Sequence, residues 1–572
     1  MPAPDFSDLL TRARRIICAD LLATGPDFQD SSDLFDAGLD SMAIMQLLLL
    51  LEEEFGSPIP VETVTRENFR TVHGVALLVA SRLGIEPPAV AQPANPAAPE
   101  PPAGEKPAPV QDAPAQTFTT LPLKNCDYFV LSFDAMMRAK GEGGHVAHSL
   151  MELDAVPDVP ALRRALELAA DRYPLLSARL QKTGLFSPHH WVAGLERLPP
   201  DLLLISENGS PGALPGAQPC ADADAEIASL INTPIPCRDD ARWVKMRLAL
   251  VERRNGTATL MLSWSHFVVD GKGAELFLQA LHDLGSAGAT AITALDTAAP
   301  QPDPRHYGQK WQATFPITGR FEEITKHRFD SLAPRKGGQS GPIRYEVRLL
   351  DDAQTAAVKA RSRSFSEVLN LPFQLACAMR AHRAVFQHRG GVPESLLCSV
   401  PIQTRRPGAA GPIFQNHLRM FFGQCLREEL RTLEGAVSSI AAQHQRYLKD
   451  GLDKAFDELM NVMRPVPPGI YMKFVSWRMK GLFNSFFHSD TGEFAPGLTA
   501  FLGAPVRTAC HIPGFTSPPG TGLFVNEKHG RLVLAACWRG NVLSERERAI
   551  LWERWLADLG ATPAFTGGWL AE

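Results

Sequence analysis

Apolar side chains recur at helical spacing from Leu9 to Leu22 and again from Ser41 to Phe55. A polar loop containing Gly38 separates the two, and Asp40 stands where it caps the second segment. Pro58 and Pro60 end that helix, and Val75 to Leu83 supplies a last short one. These segments predict a compact all-α bundle of ~80 residues. After residue 117 the pattern alternates between helix and strand. Pro160–Tyr173 reads as a helix, with Pro160 in its first turn and Leu162, Leu166 and Ala169 on one face. Trp243–Val251 and Thr257–Trp264 read as strands joined by a two-residue turn at Asn255-Gly256. Gly271–Leu284 reads as a helix and Leu532–Trp538 as a strand. Ser544 with Glu547 forms a capping box that opens an amphipathic helix to Leu559. This part is mixed α/β, and its ~450 residues predict two lobes of similar size rather than one core.

Between the two parts lies Glu86–Gln116, dominated by Pro and Ala. It has too little apolar surface to offset its ordering entropy, so it reads as an extended, semi-rigid tether. The predicted division is therefore 1–85, a tether at 86–116, and two lobes at 117–340 and 341–572.

Composition, with 45% hydrophobic and 21% charged residues, is that of an ordinary globular protein. The net charge of −5 gives a nucleic-acid partner no electrostatic support. Residues 1–85 hold 13 acids against 6 Lys and Arg, a net of −7, which leaves the remainder near +2. The nine cysteines are odd in number, scattered and without a CxxC pair, which argues against a disulfide framework or a zinc site and for buried reduced thiols. Met1–Leu10 has no basic leader, and no apolar run approaches the ~20 residues of a membrane span. The expected setting is the cytoplasm.

Two strings carry candidate chemistry. Asp33–Met42 reads DLFDAGLDSM, which puts the hydroxyl of Ser41 at a helix start just after flexible Gly38. A serine there can take a bulky modification without disturbing a core. Asp33, Asp36, Asp40 and Glu52–Glu54 make a negative surface that a basic partner can read. Ser263–Gly273 reads SWSHFVVDGKG. It places His266 just past a strand, where its imidazole can take a proton from an amine, hydroxyl or thiol near neutral pH. Asp270 follows four residues on, then Gly271, which permits a tight turn.

Gly38-Leu39-Asp40-Ser41 and its apolar helix, with Asn68-Phe69 and Thr71 further on, resemble acyl and peptidyl carrier proteins over about residues 5–85. The resemblance implies a four-helix carrier bundle with 4'-phosphopantetheine attached to Ser41, whose thiol holds an acyl chain as a thioester. Leu47–Leu51 is read as core with one face left for docking.

His266-Phe267-Val268-Val269-Asp270-Gly271 resembles the core of the condensation, chloramphenicol acetyltransferase and wax-ester-synthase superfamily. Three further stretches agree with it in order: Arg172-Tyr173-Pro174-Leu175-Leu176; Val400–Arg405 followed by Gly411 and Asn416; and His488-Ser489-Asp490-Thr491-Gly492. The resemblance implies an α/β fold of two coenzyme-A-dependent-acyltransferase-like lobes with a tunnel between them. It implies that His266 is the catalytic histidine and that Asp270 completes the catalytic set from a structural position, paired with Arg405. Ser489 would help hold the oxyanion, with Gly271 and Asn416 as supports. Two departures stand out: Ser265 occupies the place of a second histidine, and Asp490 stands where Asn is frequent. Glu527–Arg531, EKHGR, resembles a string of epimerisation domains but reads as a turn before a strand. The aromatic and basic stretch Tyr471–Phe487 is read mainly as core, with a tunnel wall or a membrane contact as its functional readings.

The leading expectation is an acyltransferase of nonribosomal-peptide or polyketide-type metabolism. An acyl group on Ser41 passes to an amine or hydroxyl activated by His266, and the tether raises the effective concentration of the two sites. Two alternatives differ in kind. In one the carrier presents the acceptor to a coenzyme A donor or a second carrier; in the other the body is a catalytically silent recruitment platform. No loading enzyme is visible in the chain, so an acyl-loading enzyme and a phosphopantetheinyl transferase are expected in trans.

Overall fold

The computed structural model describes residues 5–25, 27–39, 41–57, 59, 63–86, 120–192, 203–206, 222–235, 245–287, 304–334, 340–561 and 568–571. The expected tether, save Glu86, lies outside them, as do Asp40, Pro58, Pro60, Cys220, Cys237 and Trp243. The chain divides into two compact units. One is drawn from residues 1–114, 366–370 and 405–409, and the other from the remainder.

In the first unit, α1 (Phe6–Arg15) opens where the Asp5 carboxylate accepts the Asp8 N–H at 2.9 Å, and it continues into a π-helical turn at Ile16–Leu21. α2 (Ser41–Phe55) buries Ile44, Leu47, Leu48 and Leu51, while Leu49 and Leu50 stay partly exposed. α3 (Val72–Leu83) starts a turn earlier than the apolar pattern indicates. The Thr71 hydroxyl accepts the Gly74 N–H at 3.0 Å and sets the start, and left-handed Gly84 ends the helix. The acidic surface is smaller than its charge count suggests. Glu54 pairs with Arg12 at 2.8 Å and Arg15 at 2.7 Å, and Asp33 pairs with Arg70 at 3.0 Å.

The second unit is α/β. One sheet runs β12 (Ala500–Phe501), β13 (Ala504–Ile512), β2 (Val146–Leu153), β7 (Ala258–Ser265), β6 (Met246–Glu252) and β5 (Leu203–Ser206). A second runs β11 (Phe487–Glu493), β14 (Thr521–Lys528), β15 (Arg531–Arg539), β8 (Ile343–Leu349) and β16 (Gly568–Ala571). A ribbon pairs β9 (Ser395–Gln403) with β10 (Leu418–Leu426), and a small sheet joins β1 (Thr120–Pro122), β4 (His190–Val192) and β3 (Arg179–Gln181). The helices of the earlier half are α4 (Asn125–Ala139), α5 (Val159–Arg172), α6 (Ala223–Asn232), α7 (Gly271–Ala287), α8 (Tyr307–Gln312) and α9 (Phe315–Ile324). Those of the later half are α10 (Asp352–Phe365), α11 (Asn370–His388), α12 (Leu433–Lys449), α13 (Leu452–Met463), α14 (Pro468–Arg478) and α15 (Glu545–Leu559).

β2 and β7 are buried along their whole length, His148, Ser149 and Glu152 of β2 and Thr259, Ser263 and Ser265 of β7 included. One core cluster joins Leu150, Met261 and Ile512 of the first sheet to Tyr345, Phe524 and Ala535 of the second, with Ile227 and Leu230 of α6. Residue 340 does not divide the sheets. β13 comes from the far end of the chain and pairs antiparallel with β2, Ile512 opposite His148.

The turn after β6 also differs from expectation. Gly256 is left-handed but Asn255 is not, and Arg253 N–H reaches Thr257 O at 2.8 Å. This is a three-residue loop with a glycine bulge; a two-residue turn of the matching hand needs positive φ at both central positions. The Ser544–Glu547 capping box opens α15 as expected. His529 and Gly530, both left-handed, form a tight turn between β14 and β15, where Lys528 pairs with Arg531. Of the Tyr471–Phe487 stretch, Tyr471, Met472 and Phe486 are buried, while Trp477 is 71% exposed. The seven described cysteines are free thiols, and among the described residues no helix is long and apolar enough to cross a membrane.

Candidate active site

His266 lies one residue past β7. Its main-chain N–H donates to His145 O at 2.9 Å, which extends the β2–β7 ladder beyond the Val146–Ser265 pair. The chain then turns. Val268 N–H returns to Ser265 O at 3.0 Å, and the Trp264 indole N–H donates to Val269 O at 2.8 Å. Phe267, Val268 and Val269 are buried and anchor the turn on both sides.

Asp270 closes it. One carboxylate oxygen accepts the Gly273 N–H at 2.8 Å and caps α7; the other accepts the His417 N–H at 2.8 Å. The expected tight turn at Gly271 is absent. Gly271 simply begins α7 with no positive φ, and an added Cβ would make ordinary contact with the His511 ring at 3.6 Å.

The loop between β9 and β10 reaches the same turn. Gln415 N–H donates to Val268 O at 2.7 Å, and Gln415 bridges Val269 with a φ of 70°, a conformation few glutamines adopt. Its consequence is the position of Asn416. The Asn416 Oδ1 lies 3.1 Å from His266 Nδ1, and its Nδ2 donates to His266 O at 2.8 Å. The Asn416 main-chain N–H and Nδ2 also donate to Asp127 Oδ1, at 2.6 and 2.8 Å. Asp127 sits in the first turn of α4, fully buried, and its Oδ2 accepts the Lys124 N–H at 3.3 Å. The His145 ring stacks on His266 with centroids 4.7 Å apart, and Phe133 meets His145 edge-on at 5.2 Å.

Burial lowers the His266 pKa below the ordinary 6.5, against the raising influence of its own carbonyl, Asp270 and Asn416, so the ring is neutral at neutral pH. Burial pushes His145 further down, with His266 adding to the effect. The Asp127 carboxyl is pushed up to about 7 by burial, against the hydrogen bonds from Asn416. The His266 ring is nonetheless only part-buried, and among the described residues its Nε2 makes no hydrogen bond and is not a sealed atom. The site offers one neutral imidazole with one nitrogen engaged and the other open.

The structure therefore joins His266, Asp270 and Asn416. Arg405 lies buried two residues past β9, in a segment grouped with the first unit. Ser489 is half-buried in β11 and shares no hydrogen bond with the group. It shares its strand face with Phe487, which packs on the Phe133–Met137–Met472 cluster beside His145. Asp490 functions locally as a carboxylate, accepting the Gly492 N–H at 3.1 Å. Sequence reading missed Asp127 and His145. An acid three residues after Lys124 is a helix-start signal for Asp127, while nothing local singles out His145. Among the described residues no cluster of His, Cys, Asp and Glu is placed to hold a metal.

A helical unit opening α2 at Ser41 and an α/β unit with this histidine turn define a two-part protein: a carrier region and a condensation-type fold. The family model for the phosphopantetheine attachment site matches residues 12–90. Aminoacyl carrier protein 2 of Bradyrhizobium diazoefficiens is 37% identical over 62 residues, 11% of this chain and 70% of that protein. The D-alanyl carrier protein of Lactobacillus acidophilus is 43% identical over 61 residues, 10% of this chain and 77% of that protein. The chain belongs, through this region, to the phosphopantetheine-bearing carrier proteins. The body has the fold of the first condensation domain of the CDA synthetase, with a TM-score of 0.55 and 16% identity over 79% of this chain and 99% of that one. It is equally similar to TRI3 trichothecene 15-O-acetyltransferase from Fusarium sporotrichioides, with a TM-score of 0.55 and 11% identity over 77% and 95%.

Proposed function

We propose that the chain is a carrier-tethered acyltransferase. An acyl group held at Ser41 passes to an amine or hydroxyl to give an amide or ester, in metabolism of the nonribosomal-peptide or polyketide type. Ser41 is the first residue of a 15-residue helix and follows left-handed Gly38. The match of residues 12–90 to the phosphopantetheine attachment-site model supports 4'-phosphopantetheine at this position. The attached group supplies a thiol on a long arm. A phosphopantetheinyl transferase and a loading enzyme act in trans.

The observation that carries the reading is the state of His266: neutral, engaged at Nδ1 and open at Nε2. Nε2 takes the proton of the attacking amine or hydroxyl and gives it up to the leaving group. Asp270 holds the turn, with Arg405 proposed as its ion-pair partner, and the Ser489 hydroxyl faces the oxygen on which charge develops.

A second direction has support from the names of the carrier relatives, which hold aminoacyl and D-alanyl groups. There the group on Ser41 is an amino acid whose amine is the acceptor. One experiment tests both. The apo-protein receives an octanoyl- or alanyl-phosphopantetheine arm at Ser41 from octanoyl- or alanyl-coenzyme A through a phosphopantetheinyl transferase, with release of the nucleotide part of coenzyme A, and is followed by intact mass. The octanoyl form is offered a panel of amines and alcohols, and the alanyl form is offered octanoyl coenzyme A. Discharge to a product in the first arm supports transfer from Ser41, and acylation in the second supports the reverse. Either must vanish in His266→Ala; activity equal to wild type in that variant, or none in the wild type, overturns the proposal and leaves a recruitment platform.

A further inference from the structure

We infer that Asp127 is a positioning residue for His266: acting through Asn416, it decides which ring nitrogen carries the proton. The inference rests on the reading of His266 as the base. A carboxamide can present either its oxygen or its N–H to a neighbour, and the choice here is made by what lies on its far side. Asn416 Nδ2 is 2.8 Å from Asp127 Oδ1 and 2.8 Å from His266 O. A main-chain carbonyl and an ionised carboxylate only accept hydrogen bonds. Turning the carboxamide over would set its oxygen against both and forfeit two buried bonds. Oδ1 is thus the atom that faces Nδ1 at 3.1 Å, and Nδ1 must donate. The lone pair is left on Nε2, which has no partner among the described residues.

The carbonyl of His266 supplies one of the two acceptors and Asp127 the other, which alone bears charge. Asp127 also accepts the Asn416 main-chain N–H at 2.6 Å, so it holds the residue by two bonds. As Nε2 takes a proton, the carboxylate lies in line behind the polarised amide and favours the positive ring. The order carboxylate, amide, imidazole is that of a triad with its middle link lengthened. Lys124 and Arg464 are cations coupled to Asp127, and Cys126 is an ionisable neighbour coupled in turn to Asp127, Asp270 and Asp457.

The test is Asp127→Asn, which keeps the size but gives Asn416 a neighbour able to donate, so that the turned-over amide becomes tolerable. In the loaded transfer assay kcat should fall about 10- to 100-fold with KM within about threefold. The wild-type rate should rise with pH through about 7 as Asp127 ionises; the variant should lose that limb and keep the one below 6.5 that belongs to His266. A variant that retains both limbs, or the wild-type kcat, overturns the inference. A readout independent of transfer is the nitrogen spectrum of protein labelled with ¹⁵N-histidine, with His266 assigned by its loss in His266→Gln. The wild type should show a protonated Nδ1 and a bare Nε2, and Asp127→Asn should show the Nε2-protonated form. A wild-type His266 protonated at Nε2 overturns the inference even if Asp127→Asn does not fold. The spectrum decides the role of Asp127 even in a wild type that transfers nothing, an outcome that would count against the proposed function alone.

Discussion

His266 and His511 both lie at the turn of residues 266–271, and their surroundings treat them differently. His266 has Asn416 on Nδ1 and, among the described residues, nothing on Nε2. His511, in β13, has Ser149 Oγ on Nδ1 at 2.9 Å and Glu275 Oε1 on Nε2 at 3.0 Å. Glu275 is held in turn by Lys272 Nζ at 2.8 Å and the Ala495 N–H at 2.9 Å. Burial works to raise the Glu275 carboxyl, but Lys272 and His511 outweigh it and keep the pKa below the ordinary value. A serine, a histidine and a glutamate in hydrogen-bond contact have the composition of a hydrolytic triad. Yet Ser149 is wholly buried in the middle of β2, and neither ring nitrogen of His511 is open. The cluster braces α7 against β2 and β13. An inventory of residue types does not separate the two sites; an unsatisfied nitrogen with access to solvent does.

The contrast can be broken or sharpened by experiment. The largest effect is expected from His266→Ala, which should cost about 10²- to 10⁴-fold in transfer from the loaded carrier with the melting temperature near wild type; equal losses in both would make His266 a brace like His511. Asp270→Ala leaves a buried N–H at Gly273 and a part-buried one at His417 without their acceptor. It should lower stability by about 2–6 kcal/mol, measured by urea unfolding, and reduce transfer as Asn416 loosens. Glu275→Gln should act on stability alone. Unfolding should report a loss of about 1–3 kcal/mol, with transfer per folded molecule within about threefold of wild type; a selective loss of transfer would bring the braced cluster into the chemistry.

The sealed histidines also set a pH dependence. Burial pushes His382, His444 and His488 down to about 4 and His148 to about 3. Unfolded, each titrates near 6.5, so below that pH the unfolded chain binds protons the folded chain refuses. Stability is complete above about 6.5 and falls towards pH 4, by about 1.4 kcal/mol per pH unit for each group. Urea midpoints at pH 7 and pH 5 measure this, and equal midpoints would contradict the buried, neutral assignment. The smallest effect is expected from Gly271→Ala. Its backbone needs no glycine, and the new methyl has ordinary contact distance to His511, so transfer and melting temperature should both stay near wild type.

Local features were legible in the chain. The DSM string after Gly38, the Ser544–Glu547 box, and the strand running into His266 each depend on neighbours within a few residues. The departures were of a different sort. α3 begins at Val72 because Thr71 reaches Gly74, the loop after β6 has three residues because only Gly256 turns left-handed, and Gly271 serves as a helix start rather than a turn. In each, one backbone bond or torsion chose between conformations that residue types alone leave equal.

The amino-acid order by itself determined a carrier region ahead of an α/β body, the serine at the start of α2, and the histidine and aspartate of one turn. Periodicity, caps and short strings are read from near neighbours, and near neighbours enforce them. Only the tertiary structure decided that His266 is answered by Asn416, that Asn416 is answered by Asp127 from 289 residues away, and that His145 lies flat on the His266 ring. Those contacts exist because β2, β7 and the β9–β10 loop converge, and no spacing along the chain encodes a distance that packing sets.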